Sequence, residues 1–396
     1  MTGSWPRPQW FNMSMWGRPL DTAMMDVAYR EQLGDALSAV IDDQERAGLD
    51  ILTHGDFFHD ADFAGRSWMH YPLQRWSGFA FDELQTEETR WPLLAFPPGT
   101  LLNEIFTGWR WPHVVDKVGP NPHNPLEYAK LYRLSQARTR QPVKFGTVAA
   151  QCMSTYLDVH TDKYDQDDKR QLITDMTRAM NQELRELAAA GCQVIQVEEP
   201  LVHYAAAHSP EDTDYIDFLV DNWNDGLEGL DDVEIWIHTC WGNPNMQRVV
   251  KQSSYANSIE IYLERMKGDV WTIESKDSGH VDLELFAPYK GRLQKKIAIG
   301  VVSHRTLQIE SPDEVAADVR LAMQYIDPEN LVLSSDCGFG RQGCNRAVAF
   351  YKASAIAQGA NIVRRELGAP ETYVPAADPA LQTDIVEKRA GVGASA

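Results

Sequence analysis

The sequence predicts an α/β protein, a single (β/α)8 TIM barrel, and three observations predict it. Seven short β-rich segments alternate with helix-length stretches along most of the chain, the pattern of a parallel sheet covered by helices. No glycine-rich turn follows the first strand, which an open, doubly wound nucleotide fold would require. The 396 residues hold one barrel of ordinary size plus an additional segment.

In chain order, a helix at about 22–47 leads into the strand Leu49 to Asp56 (LDILTHGD), and a short strand from Thr2 to Trp5 brings the count to eight. Residues 57–142 then interrupt the rhythm. They carry Trp68, Trp76, Trp91, Trp109 and Trp111 and are broken by Pro72, Pro92, Pro97, Pro98 and Pro112. A stretch this long is not a simple loop. It reads as an ordered, Trp-rich excursion after the second strand, either a small core of its own or a wall over an apolar pocket.

A helix at about 125–140 returns the chain to strand Val143 to Val148. The strands Cys192 to Pro200, Val233 to Trp241, Gly268 to Ser275, Lys295 to Ser303 and Asn330 to Gly338 follow, with helices at about 166–190, 212–227, 244–266 and 344–366 among them. Ser311-Pro312-Asp313-Glu314 opens a further helix with an N-cap serine, proline at the first position and glutamate closing the capping box. Its apolar stripe is Val315, Val319, Ala322, Met323 and Ile326. The barrel with its excursion takes residues 1–375. Residues 376–396, rich in Ala, Gly and charge without a periodic face, are expected to be a flexible tail.

The formal charge of −20 disfavours nucleic acid and anionic membranes as partners. No run of about 18 apolar residues suggests a membrane span, and the first residues lack the pattern of a signal peptide, so a cytoplasmic protein is expected. Five cysteines, an odd number spread over a long chain, read as reduced thiols.

His238 and Cys240 lie two apart at the end of one strand, so both side chains point to the same face. Glu274 and Cys337 each end another strand, at the same rim of the predicted barrel. One imidazole, two thiols and a carboxylate suit tetrahedral Zn²⁺, with bonds of roughly 2.0–2.3 Å. A packed core is the alternative, because buried histidines and strand cysteines also occur without metal.

The stretches His238-Thr239-Cys240, Thr272-Ile273-Glu274 and Asp336-Cys337-Gly338 resemble the zinc site in the catalytic C-terminal barrel of the cobalamin-independent methionine synthase family. Thr2-Gly3-Ser4-Trp5-Pro6 resembles that family's opening Ile-Gly-Ser-Phe-Pro. Gly48 to Asp56 (GLDILTHGD) resembles its Gly-Leu-Asp-Val-Leu-Val-His-Gly-Glu, and Val194 to Pro200 (VIQVEEP) its Ile-Ile-Gln-Ile-Asp-Glu-Pro. The resemblance implies a zinc-dependent alkyltransferase. A thiol acceptor, homocysteine or a similar thiol, binds zinc as a thiolate and takes a methyl group, while Glu274 yields its place. It also implies that Asp56 and Glu198 hold the acceptor's amino group, each being the other acid than the family uses, and that Ser4 serves its carboxylate.

The chain departs from the family elsewhere. Met153 falls near the family's folate-stacking tryptophan, which leaves a methylated corrinoid protein, another small methyl donor or an epoxide as the alkyl source. Counted without gaps, Arg305 stands where the family has a histidine that protonates the leaving group, and His304 is one residue away. The forked donors of Arg305 would also suit a sulfonate, as in the similar zinc-dependent epoxyalkane:coenzyme M transferases. A metal-free lyase resembling uroporphyrinogen decarboxylase is the reading from another class. Structural roles remain open for Asp56 as a helix cap and Glu198 in an ion pair of the barrel wall. Cys152, Cys192 and Cys344 are expected to be packing residues, while His54 and His70, near the mouth of the predicted barrel, stay open with a preference for structural roles.

Overall fold

The computed structural model describes residues 3–11, 20–56, 69–80, 97–101, 103, 112–243, 246–248, 254–340 and 344–381. Its strands are β1 (Leu52–Thr53), β2 (Ser77–Ala80), β3 (His113–Gly119), β4 (Val143–Val148), β5 (Asp158–Val159), β6 (Val194–Glu198), β7 (Glu234–Thr239), β8 (Val270–Ile273), β9 (Lys296–Val302) and β10 (Leu331–Ser335). Seven of them form one sheet in the order β1-β4-β6-β7-β8-β9-β10, and every neighbouring pair is parallel. Parallel neighbours need long crossovers. Helices Tyr128–Gln136, Arg170–Ala189, Thr213–Gly226 and Pro312–Ala322 supply them for β4, β6, β7 and β10, with Val27–Arg46 before β1 and Arg346–Glu366 after β10.

The two faces of the sheet differ. Against the helices lies the large core, with Ile195, Ile235, Ile237, Trp271, Ile273, Ile297 and Ile299 from the strands. The other face starts from a small separate floor of Val194, Trp236, Val270 and Ala298. Two residues further along the strands the same face turns polar, with Lys144 donating to Gln196 at 2.6 Å, then Glu198 beside His238 in register. The site therefore lies at the C-terminal ends of the strands, as in parallel α/β proteins generally.

The expected strand at the N-terminus is not formed, and Thr2 lies outside the described residues. Gly3–Trp5 nevertheless sits between the two outer strands. Trp5 N–H donates to the Gly55 carbonyl at 2.9 Å, and the Ser4 carbonyl accepts from Phe339 N–H at 2.9 Å. Pro6 has no N–H to continue either ladder. Trp5 is fully buried, meets Phe339 edge to face and donates its indole N–H to Asp43 at 3.2 Å.

Within the expected excursion, helix His70–Arg75 precedes β2, which pairs antiparallel with β3. β3 in turn pairs parallel with β5, a strand beyond residue 142, so this small sheet is tied to the connection after β4. Trp76 is buried; Trp68, Trp91, Trp109 and Trp111 lie outside the described residues.

Other expectations are corrected. The strand Leu49 to Asp56 narrows to Leu52–Thr53, because Gly55 and Asp56 adopt positive φ (90° and 56°) and turn the chain out of the sheet. In place of a full helix at 244–266, the described part has a π-helical turn at Ile261–Arg265. Helix Leu201–His208 was not expected. The capping box at Ser311 and Glu314 is present. Toward the C-terminus, Val374 is buried against Gly48, and residues 382–396 lie outside the described residues. No described helix is long and apolar enough to cross a membrane.

Trp5→Ala is expected to cost about 3–5 kcal/mol in urea unfolding, the range for an emptied aromatic site. Ser311→Ala, which removes only the cap, should cost about 1 kcal/mol.

Candidate metal centre

Strand alternation places Trp236, His238 and Cys240 on one face of β7 and its end, while Ile235, Ile237 and Thr239 pack outward. Cys337 follows β10. One ligand atom from each of His238, Cys240 and Cys337 lies within 4.8 Å of the others, and all three residues are buried. Among the described residues the ring nitrogens of His238 meet no nitrogen or oxygen partner, and the neighbour of this buried imidazole is the Cys337 thiol. A hydrogen bond from Cys240, aided by His238, holds the Cys337 thiol well below its usual range, and the same bond with burial pushes Cys240 up. One imidazole and two thiols, one already inclined to ionise, fit a zinc ion.

Glu274, the expected fourth ligand, is buried but does not join that set. Its Oε1 accepts from Arg305 Nη2 at 2.6 Å, and its Oε2 accepts from Trp241 N–H and Asn243 Nδ2, both at 3.2 Å. Arg305 is itself fixed, with Nε donating to Asp277 Oδ2 at 3.1 Å and Nη2 also donating to Asn243. Ser303 Oγ donates to the other Asp277 oxygen at 2.6 Å.

Asp336 precedes Cys337 and receives three backbone N–H groups, those of Ser275, Lys276 and Asp277, at 2.7–2.8 Å. It thereby ties the chain beyond β10 to the chain beyond β8. Asp277, His304 and Asp336 form a second close set within 4.8 Å. Both His304 ring nitrogens lack hydrogen bonds, Nδ1 lies 3.6 Å from Asp277 Oδ2, and burial pushes the imidazole below its usual pKa. Gly300 on β9 makes room for this packing, because a Cβ there would lie 2.7 Å from the Asp336 Cα.

The three residues expected to hold the acceptor also come together. A Cβ on Gly3, whose φ is 45°, would lie 3.0 Å from Asp56 Oδ2 and 3.7 Å from Glu198 Oε1. The next residue, Ser4, accepts at its Oγ from Gly340 N–H at 3.1 Å. Asp56 pairs with His54 Nδ1 at 2.9 Å, and the residues that a cap at Asp56 would open lie outside the described residues. Beneath them, burial pushes the Lys144 ammonium down to about 7, against the pull of Asp56, Glu198 and Glu234, with the charge 4.0 Å from the Trp236 ring centre.

The remaining expected residues lie apart from the thiol pair. Cys152 reaches Glu199, Cys192 the Val194 carbonyl, Cys344 the Asn345 carbonyl, and His70 is buried at its helix start. Sequence reasoning missed Asn243, Asp277, Asp336 and Lys144. A lysine inside the otherwise apolar VKFGTV was the available signal for Lys144, and Asp336 stood inside the Asp-Cys-Gly already singled out.

Comparison with known proteins gives a consistent picture. The family model described as "Cobalamin-independent synthase, Catalytic domain" matches residues 121–358. A "Methionine synthase" from Sulfurisphaera tokodaii is 26% identical over 369 residues, covering 92% of each chain. One from Sulfolobus acidocaldarius is 25% identical over 366 residues, covering 92% of this chain and 91% of its own. Among solved structures, a B12-independent methionine synthase from a Shewanella species, in complex with selenomethionine, superposes with a TM-score of 0.70 at 23% identity, over 93% of this chain and 97% of that one.

Gly300→Ala should push Asp336 from its place and destabilise the fold by about 1–3 kcal/mol, the cost of overpacking, seen as a lower urea midpoint. A pH effect follows from Lys144. Its folded pKa of about 7 lies below the ordinary 10.5, so between these values the unfolded chain binds more protons and stability rises with pH. The contribution is at most about 1.4 kcal/mol per pH unit. Lys144→Met should therefore flatten the rise in urea midpoint from pH 7 to pH 9.

Proposed function

The chain belongs to the cobalamin-independent methionine synthase family, and on that premise we propose that it is a zinc-dependent methyltransferase acting on the thiol of homocysteine. The observation that carries this reading is the meeting of buried His238, Cys240 and Cys337 within 4.8 Å. These three residues would hold the zinc, with Glu274 as the fourth protein ligand. Zinc there would supply a Lewis acid that lowers the pKa of an acceptor thiol, so that its proton passes to solvent near neutral pH.

The chain's own residues orient the acceptor. In this reading Asp56 and Glu198, which flank Gly3, receive the ammonium group, and the Ser4 hydroxyl meets the carboxylate. Held at both ends, the acceptor presents its sulfur at the metal in one orientation, and such alignment is a large part of a displacement reaction's rate. In this reading His304, whose Nδ1 lies 3.6 Å from Asp277, gives the proton to the leaving group. Arg305 stands against Glu274 and Asp277 and acts through them.

In the same reading Gly3–Trp5 closes the sheet as the eighth stave of the barrel. The methyl donor is a small molecule. A corrinoid-protein donor finds no support in a cobalamin-independent family. Relatives named methionine synthase favour the homocysteine reading over an epoxyalkane:coenzyme M transferase or a decarboxylase-like lyase. Five unbridged, buried cysteines suit a reducing, cytoplasmic setting.

Purified protein is expected to carry about one equivalent of zinc, and Cys337→Ser less than about half of that. Added homocysteine should introduce a new sulfur ligand in zinc-edge X-ray absorption. A sulfur ligand appearing with coenzyme M alone would overturn the choice of acceptor, and a metal-free protein would overturn the reading as a whole.

A further inference from the structure

We propose that Arg305 is a positioning residue that gives Glu274 a second seat away from the metal, and so keeps a coordination position available to the acceptor thiol. The inference rests on the zinc reading above and deepens it. Its starting point is a difference among the four expected ligands. Three share one coordination-sized volume, whereas the Glu274 carboxylate is engaged elsewhere.

That engagement is a built seat. Both carboxylate oxygens are satisfied, Oε1 by Arg305 at 2.6 Å, with Arg248 at 3.9 Å, and Oε2 by the Trp241 amide and Asn243. Arg305 does not reach Glu274 as a loose surface side chain. Asp277 fixes its Nε and Asn243 shares its Nη2, while Ser303 and the Asp277 carboxylate brace the far side. Nη1 of Arg305 is buried without a hydrogen-bond partner, so the guanidinium retains donor capacity after these contacts.

Charge explains why the seat matters. When a thiolate takes the place of a carboxylate on a metal, the metal's own charge balance is unchanged, and a carboxylate is released. Glu274 is 1% exposed, so its released charge cannot be met by water. Arg305 meets it at hydrogen-bond distance with a group that stays protonated. Without that cation the carboxylate would gain most by remaining on the metal, and the acceptor would have to compete with it. Lysine would keep the charge but lose the fork that spans Glu274, Asn243 and Asp277.

The test uses full-length, zinc-loaded protein in four forms: wild type, Arg305→Met, Arg305→Lys and Arg305→Met in a Glu274→Gln background. Zinc affinity is read by competition with a chelator, and homocysteine affinity by calorimetry, both without turnover. Arg305→Met is expected to hold zinc more tightly and to bind homocysteine about 10- to 100-fold more weakly, the usual range for residues behind metal ligands. Arg305→Lys should recover part of the homocysteine affinity. In the Glu274→Gln background, Arg305→Met should change little, because the released charge is gone. Unchanged homocysteine affinity in a zinc-loaded Arg305→Met protein, or an equal loss in the Glu274→Gln background, would overturn the inference while leaving the zinc reading intact. Wild-type protein that binds no zinc would instead remove the reading beneath it.

Discussion

Three backbone amides on one carboxylate hold the rim of this molecule together. Asp336 takes the N–H groups of Ser275, Lys276 and Asp277, which directly follow Glu274, and is itself directly followed by Cys337. Two chain segments from strands β8 and β10, separated by β9, are thereby locked in one relative position. The residue between them in the sheet has to be small, and Gly300 is. Amide donors arranged in this way satisfy a buried carboxylate better than scattered side chains can, since they bring no rotamer freedom of their own. The thiol of Cys337 inherits its position from that lock.

Around this point the concave face of the sheet is graded. An apolar floor of Val194, Trp236, Val270 and Ala298 gives way to the Lys144–Gln196 pair, then to Glu198 beside His238, and at the strand ends to thiols and carboxylates. Each layer is a two-residue step along the strands, so the period-2 pattern that shapes the sheet also sorts its chemistry. The apolar floor keeps water from the layer above it, where burial lowers the Lys144 ammonium pKa.

Much of this was legible in the sequence. The six strands from Val143 onward, the capping box at Ser311 and the rim location of His238, Cys240 and Cys337 follow from local patterns: alternation, capping chemistry and strand ends. What was not legible depends on partners distant in the chain. Glu274 ends a strand just as the cysteines do, and its engagement by Arg305, Asn243 and the Trp241 N–H is met only in three dimensions. The strand predicted at Leu49 to Asp56 has ample β propensity, yet positive φ at Gly55 and Asp56 ends it early so that Asp56 can face Glu198 across Gly3. The helix expected after β7 has the right apolar spacing but becomes a π-helical turn at Ile261–Arg265.

The contact between Ser4 and Gly340 spans 336 positions of sequence. Contacts of such long range form late, after the loops they close. The chain is made from its N-terminus, so Ser4 waits through synthesis of nearly every other element before Phe339 and Gly340 exist. The Ser4–Gly340 contact that joins the two outer ends of the sheet is therefore a product of the last stage of assembly.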